Sequence, residues 1–227
     1  MRNPFKRKTE GDSAFEEKKE KSALIDFLQS VTLAIIFSFI IFSIVTPSEV
    51  DGPSMEPNFY NAERVYTNRL PQWLSTTDFG KATGLGYNRG DVIVFFKPTM
   101  GSSLIKRIIG MPGDTFKIQG GKVYINGKLL VEDYLPTDTY TKSGNLKEGQ
   151  DYKVQLEETN EKGEKIIDQD VFFVMGDNRA VSNDSRYIGF IKREWMQGKV
   201  IFRLWPLNRF GVLNTGKFEL QDVPATN

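Results

Sequence analysis

The stretch VYINGKLLV, residues 123–131, sets two short apolar runs on either side of Asn126-Gly127. Asn-Gly supplies the two positive φ angles of a type I′ turn, so the segment predicts a β-hairpin. Short apolar runs between turn signals continue through most of the chain beyond Pro47, and they predict further strands over 64–67, 91–96, 104–109, 115–118, 169–175, 189–191 and 199–204. No helical period of comparable strength appears there. The expected fold class is therefore mainly β. The polar stretch 137–168 has one weak strand pattern, at YKVQL, and looks like an elaboration, so 115–170 is expected to form a smaller inserted β module. Residues 68–89, carrying Gly80, Gly84 and Gly86, predict a long loop.

The amino-terminal end has a different composition. Residues 1–21 carry seven Lys and Arg among five acids, which predicts a flexible tail over about 1–22. Residues 27–46 then hold no charge, including LAIIFSFIIFSIV. A helix of ~20 residues spans ~30 Å, the thickness of a bilayer's hydrocarbon core. Pro47 marks the helix end, so 23–46 is expected to be a single transmembrane anchor. The apolar run exceeds that of a cleaved signal segment, and no A-x-A-like site follows it. All seven nearby cations precede the span, and none lies between Pro47 and Glu63. The positive-inside rule then puts the amino terminus in the cytoplasm and 47–227 outside the cell membrane.

Composition removes whole classes of chemistry. The 227 residues contain no cysteine and no histidine. Disulfides, thiolate nucleophiles, a Ser-His-Asp triad and an HExxH zinc site are all excluded. A hydrolase built from this chain must take its base from a carboxylate, a lysine or the amino terminus. With 30 Lys and Arg against 29 Asp and Glu, there is no basic footprint for nucleic acid.

Three segments carry candidate chemistry. In DGPSMEPNF, residues 51–59, Gly52, Pro53 and Pro57 make a stiff turn around Ser54. Such a turn can aim a backbone N–H at a developing oxyanion, although alone it reads more readily as an ordinary turn serine. In SSLIKRIIGMPGD, residues 102–114, strand alternation puts Leu104, Lys106 and Ile108 on one face. Burial there would lower the Lys106 pKa, which must fall from ~10.4 to ~8 or below for a base near neutrality. A lone lysine in a strand more often extends to water. Arg107 reads as solvated or ion-paired rather than catalytic. In FFVMGDNRAVSNDSRYIGF, residues 172–190, Asp184 and Arg186 can pair to brace a loop, and Ser182 can hydrogen-bond a neighbouring amine.

Taken together these segments resemble the type I signal peptidases, serine–lysine enzymes that remove signal peptides from exported preproteins. GPSMEP is similar to the family's SM-x-P box and identifies Ser54. RGDVIVFF, residues 89–96, is similar to its strand box. LIKRIIGMPGD resembles the KR-x-x-G-x-PGD box and identifies Lys106. GDNRAVSNDSRYIG follows GDNR-x-x-S-x-DSR-x-x-G throughout. The resemblance covers about 24–213 and implies a signal-peptidase-like β fold.

What it implies for the site is specific. Ser54 and Lys106 would be catalytic, with Ser182 hydrogen-bonding the lysine and the Asp184–Arg186 pair in support. The Ser54 N–H would be an oxyanion donor, and Met55 a substrate-binding residue. The substrates would be preproteins with small residues, typically Ala, at the first and third positions before the cut. No metal or organic cofactor is implied. Two departures stand out. Many members carry serine where this chain has Gly52, which leaves the second oxyanion donor open. After Pro57 the family commonly has threonine; here it is Asn58, from which no loss of activity is inferred. A tethered, inactive β-domain and a self-cleaving regulatory peptidase are the alternatives from other classes.

Overall fold

The computed structural model describes residues 10–74, 77–83, 86–159, 163–213 and 218–222. The chain divides into two compact units, Met1–Ile44 and Val45–Asn227. The first holds one helix, Glu10–Ile44. A flexible tail was expected up to residue 22, but from Glu10 onward the chain is helical. This stretch is rich in Glu and Lys, both good helix formers, and it extends an existing helix without a new nucleus. Residues 1–9 lie outside the described residues. Within the helix, Ala23–Ile44 has 22 residues and a mean hydropathy of 2.3, long and apolar enough to cross a membrane.

The helix stops two residues before the expected limit. Val45 and Thr46 belong instead to a strand, Val45–Glu49, paired antiparallel with Arg64–Asn68. Both residues are β-branched and Pro47 follows, and each feature disfavours continuing the helix.

The second unit is mainly β. Among the described residues its larger sheet runs Val45–Glu49, Arg64–Asn68, Met196–Trp205, Val92–Lys97, Ser102–Gly110, Val171–Met175 and Ile191–Lys192, with neighbours antiparallel; Gly211–Val212 pairs with Met196–Trp205 off this path. The run Val92-Ile93-Val94-Phe95 sends alternate side chains into two clusters. Val92 and Val94 join Met55, Phe59 and Ile105, whereas Ile93 and Phe95 join Ile108, Phe172 and Val174. A strand covered on both faces has no solvated side, which is why it reads as a continuous apolar run rather than an alternating one.

The smaller sheet runs Phe218–Gln221, Lys128–Glu132, Lys122–Ile125, Thr115–Gln119 and Tyr152–Lys153. Its hairpin turn has φ 51° at Asn126 and 78° at Gly127, the positive pair that Asn-Gly predicts. Residues 115–170 do not complete this module, because Phe218–Gln221 returns from the end of the chain to pair with Lys128–Glu132. Nor does it pack alone. Phe116, Ile118, Val123 and Ile125 share one cluster with Ile109, Val171, Phe173 and Met175 of the larger sheet, and the Phe116 and Phe173 rings stack at 3.9 Å.

The expected loop 68–89 contains two short helices, Leu70–Leu74 and Asp78–Thr83. Their starts are capped by side chains: the Leu70 N–H donates to Asn68 Oδ1 at 2.8 Å, and the Gly80 N–H to Thr77 Oγ1 at 3.0 Å. Such caps satisfy amides that a short helix leaves unpaired.

Candidate active site

Ser54 lies in an irregular turn held at both ends by backbone bonds. Val50 N donates to Glu63 O and Ala62 N to Val50 O, both at 2.8 Å, while Phe59 N donates to Met55 O at 2.9 Å. Gly52 adopts φ +82°, a conformation that favours glycine, and its N–H donates to Asn61 Oδ1 at 2.8 Å. The Gly-Asp-Asn turn presses on the other side. Asn178 N donates to Ser54 O at 3.0 Å and Asn178 Nδ2 to Pro53 O at 3.2 Å. The N–H of Ser54 itself meets no acceptor among the described residues.

The strand Ser102–Gly110 brings Lys106 to this turn. Leu104 and Ile108 pack into one cluster and Ile105 into the other, so the alternation expected around Lys106 is present. Lys106 is only 2% exposed, and its Nζ lies 2.8 Å from both Ser54 Oγ and Ile105 O. Burial lowers its pKa from 10.5 to about 8, although Asp184 and then Asp177 pull the other way. A neutral amine at this distance can accept the Ser54 hydroxyl proton.

The third segment closes around the pair. Asp184 and Arg186 form the expected brace, with no side-chain exposure on either partner. Arg186 Nε donates to Asp184 Oδ1 and a terminal nitrogen to Oδ2, each at 2.8 Å. Arg186 also donates to the carbonyls of Arg179 and Lys142, and Asp184 Oδ2 accepts from Gly176 N at 2.9 Å. The brace thus fixes the exit of the strand Val171–Met175 beside Ser54.

Two expected contacts differ. Ser182 is buried, but its hydroxyl makes no hydrogen bond among the described residues. The Lys106 amine is directed instead to Ser54 Oγ and to the carbonyl of its own neighbour, Ile105. Met55, expected to touch substrate, is fully buried, packs with Val50 and Phe59 beneath the turn, and does not line the adjoining cavity. Arg107 resolves to the ion-paired arm of its two readings. It is bound in two places by Asp177, Nε to Oδ1 at 2.8 Å and a terminal nitrogen to Oδ2 at 2.6 Å, with the pair essentially unexposed. The part played by Asp177 was not foreseen, because 70 residues separate the partners and the triplet Gly-Asp-Asn signals only a turn.

A cavity of about 670 Å³ opens over the dyad. Its walls include Thr46–Glu49 of the edge strand, the start of the Lys106 strand at Ser102–Ile105, and Asp51, Val65 and Asn183. An edge strand beside a nucleophile leaves backbone groups for an extended peptide.

The family profile described as signal peptidase, peptidase S26, matches residues 24–205. Signal peptidase IB of Staphylococcus aureus is 35% identical over 191 residues, covering 84% of this chain and 94% of that protein. Signal peptidase I P of Bacillus subtilis subsp. natto is 33% identical over 196 residues, covering 86% and 96%. A crystal structure of a signal peptidase I from Enterococcus faecalis is 32% identical, with a TM-score of 0.36 over 50% of this chain and 95% of its own. With all the motif segments of the site inside the matched range, the chain belongs to the peptidase S26 family of signal peptidases.

Proposed function

We propose that this chain is a membrane-anchored serine endopeptidase that removes amino-terminal signal peptides from exported preproteins, with Ser54 as nucleophile and Lys106 as general base. The observation that carries the reading is the 2.8 Å contact between the Ser54 hydroxyl and a buried lysine whose pKa lies at about 8.

Neutral Lys106 takes the Ser54 proton as Oγ attacks the scissile carbonyl, giving a tetrahedral intermediate. The Ser54 N–H, which has no acceptor among the described residues, would donate to the oxyanion. Gly52 offers no hydroxyl there and its N–H is taken by Asn61, so a second donor must come from elsewhere in the cavity wall. Protonated Lys106 then gives its proton to the leaving amine as the C–N bond breaks. Water, deprotonated by the same lysine, hydrolyses the ester on Ser54. The Asp184–Arg186 brace holds Gly176 against Ser54, and Ser182 sits buried at that junction. These residues support the site without entering the bond changes. No step requires a metal.

The substrate class follows from the cavity and from the family. The edge strand Val45–Glu49 forms one wall, which suits an extended segment such as the end of a signal peptide. In the sequence Ser54 follows the last residue of the apolar span, Ile44, by ten positions, a short tether that suits a substrate held in the same membrane. Seven cations ahead of the span favour a cytoplasmic amino terminus and an external peptidase unit. To test this, the detergent-solubilised protein is incubated with a preprotein bearing one Ala-x-Ala site and the new amino terminus is sequenced. Cleavage after the second Ala is expected; no cleavage between pH 7 and 10, or a cut unrelated to that site, would overturn the assignment.

A further inference from the structure

Asn58 stands four residues after Ser54 and takes no part in the chemistry above, yet both its ends are held. Its carbonyl accepts from Arg203 at 2.5 Å and from Arg209 at 2.9 Å. Both guanidiniums converge on the carboxylate of Glu63, itself 2% exposed: Arg203 Nε lies 2.7 Å from Oε2, and Arg209 pairs with Oε1. Each cation also sits over a ring of the same turn, Arg203 over Phe59 at 5.1 Å and Arg209 over Tyr60 at 4.6 Å. The backbone at Asn58 is therefore clamped from the strand Met196–Trp205 and the segment after it.

The side chain reaches in another direction. Its amide Nδ2 donates to Tyr134 O and to Asp177 Oδ2, both at 2.9 Å. Asp177 is the carboxylate that binds Arg107 in two places, and Arg107 directly follows Lys106 in the chain. The Tyr134 ring covers the Arg107 guanidinium at 3.9 Å. A continuous path thus runs from the Ser54 turn, through one amide and one carboxylate, to the strand that carries the base.

Resting on the peptidase reading above, we propose that Asn58 is a positioning residue of the reaction, tying the turn that carries Ser54 to the strand that carries Lys106 through the Asp177 carboxylate. Two reacting groups on separate segments keep a 2.8 Å contact only if those segments cannot slide, and a displacement near 1 Å is enough to cost ~10²-fold in rate. The amide also has an electrostatic part. It offers Asp177 a neutral donor, where a carboxylate at the same place would add negative charge near the base. The charged groups around Lys106 are Asp177 and Asp184 on the closing segment, Arg107 on its own strand, and Glu49, Asp51 and Arg69 across the cavity.

The test uses the full chain in detergent and compares wild type, Asn58→Ala, Asn58→Thr and Asn58→Asp for preprotein cleavage, alongside thermal unfolding. Asn58→Ala should lower kcat roughly tenfold or more with KM within about twofold, because chemistry rather than binding is misaligned. Asn58→Thr keeps one donor and should recover activity to within roughly threefold of wild type. Asn58→Asp should move the acidic limb of the kcat/KM profile upward by roughly half a unit or more, a response that a residue serving only to stabilise the fold would not produce. Wild-type kcat in Asn58→Ala, a kcat loss no larger than the loss of folded protein, or an unmoved limb in Asn58→Asp would each overturn the proposal. Cleavage by wild type that is lost in Ser54→Ala keeps such an outcome distinct from failure of the peptidase reading itself.

Discussion

Lys106 is a cation placed where a cation is costly, and two consequences follow at the scale of one residue. As the proposed base, Lys106 would accept the Ser54 proton only in its neutral form, so kcat/KM should rise with pH through about 8 and level off above it. A profile flat from pH 6 to 10 would contradict that assignment. Stability should also rise with pH, over a higher range. The lysine pKa is lower in the folded than in the unfolded chain, so below about 8 both states hold the proton and the folded state bears the full burial cost. That cost is relieved as pH rises from about 8 toward 10.5. Lys106→Met should therefore abolish cleavage yet raise unfolding stability at pH 6 by up to about 3 kcal/mol, measured by denaturant titration. Ser54 and Lys106, which meet at 2.8 Å, could be singled out as candidates because each sits in a segment with a recognisable order of residue types. Their anchors could not. Glu63, Arg203 and Arg209, like Arg107 and Asp177, are charged residues far apart in sequence, and only the tertiary fold makes partners of them.

Among the elements, the junction at Gly176 leaves no room for a side chain. A Cβ there would come within 2.2 Å of Ser182 Oγ and 2.3 Å of Ser54 O, and a backbone carbonyl cannot yield as a flexible side chain can. Gly176→Ala should cut kcat by roughly two orders of magnitude even if the protein still folds, as read by turnover and thermal unfolding together. Asp184→Asn should be severe for a different reason. It leaves Arg186 as a buried cation without its counter-ion, a change of about 3–5 kcal/mol that unfolding measurements would detect. The strands built from apolar runs, such as Val92–Lys97 and Ser102–Gly110, were readable because burial on one or both faces leaves a period or a run. Val45–Glu49 was hidden at the end of the membrane-type apolar stretch, where hydropathy cannot separate the last helical turn from the first strand. Phe218–Gln221 alternates over only four residues, too short a pattern to stand out, and its partner lies some 90 positions earlier. The helices in 70–83 were masked by the glycines around them.

For the molecule as a whole, the edge strand Val45–Glu49 serves both the sheet and the cavity. A chain beginning at Val45 retains the unit Val45–Asn227 intact and should cleave a soluble peptide substrate within a few-fold of the full protein in detergent, whereas one beginning at Val50 loses a cavity wall. The second truncation should raise KM roughly tenfold or more, measured on the same peptide. Division into an apolar helix and a β unit was plain in composition, because hydropathy changes sharply near Pro47. The claim that joins all three scales is that Ser54 and Lys106 act as one catalytic unit. The most direct measurement compares preprotein cleavage by wild type, Ser54→Ala, Lys106→Ala and the double variant at pH 9, each checked for folding. The account predicts that both single variants fall by roughly three orders of magnitude or more and that the double variant is no slower than either. Substantial turnover in Ser54→Ala, or losses that simply add in the double variant, would contradict it.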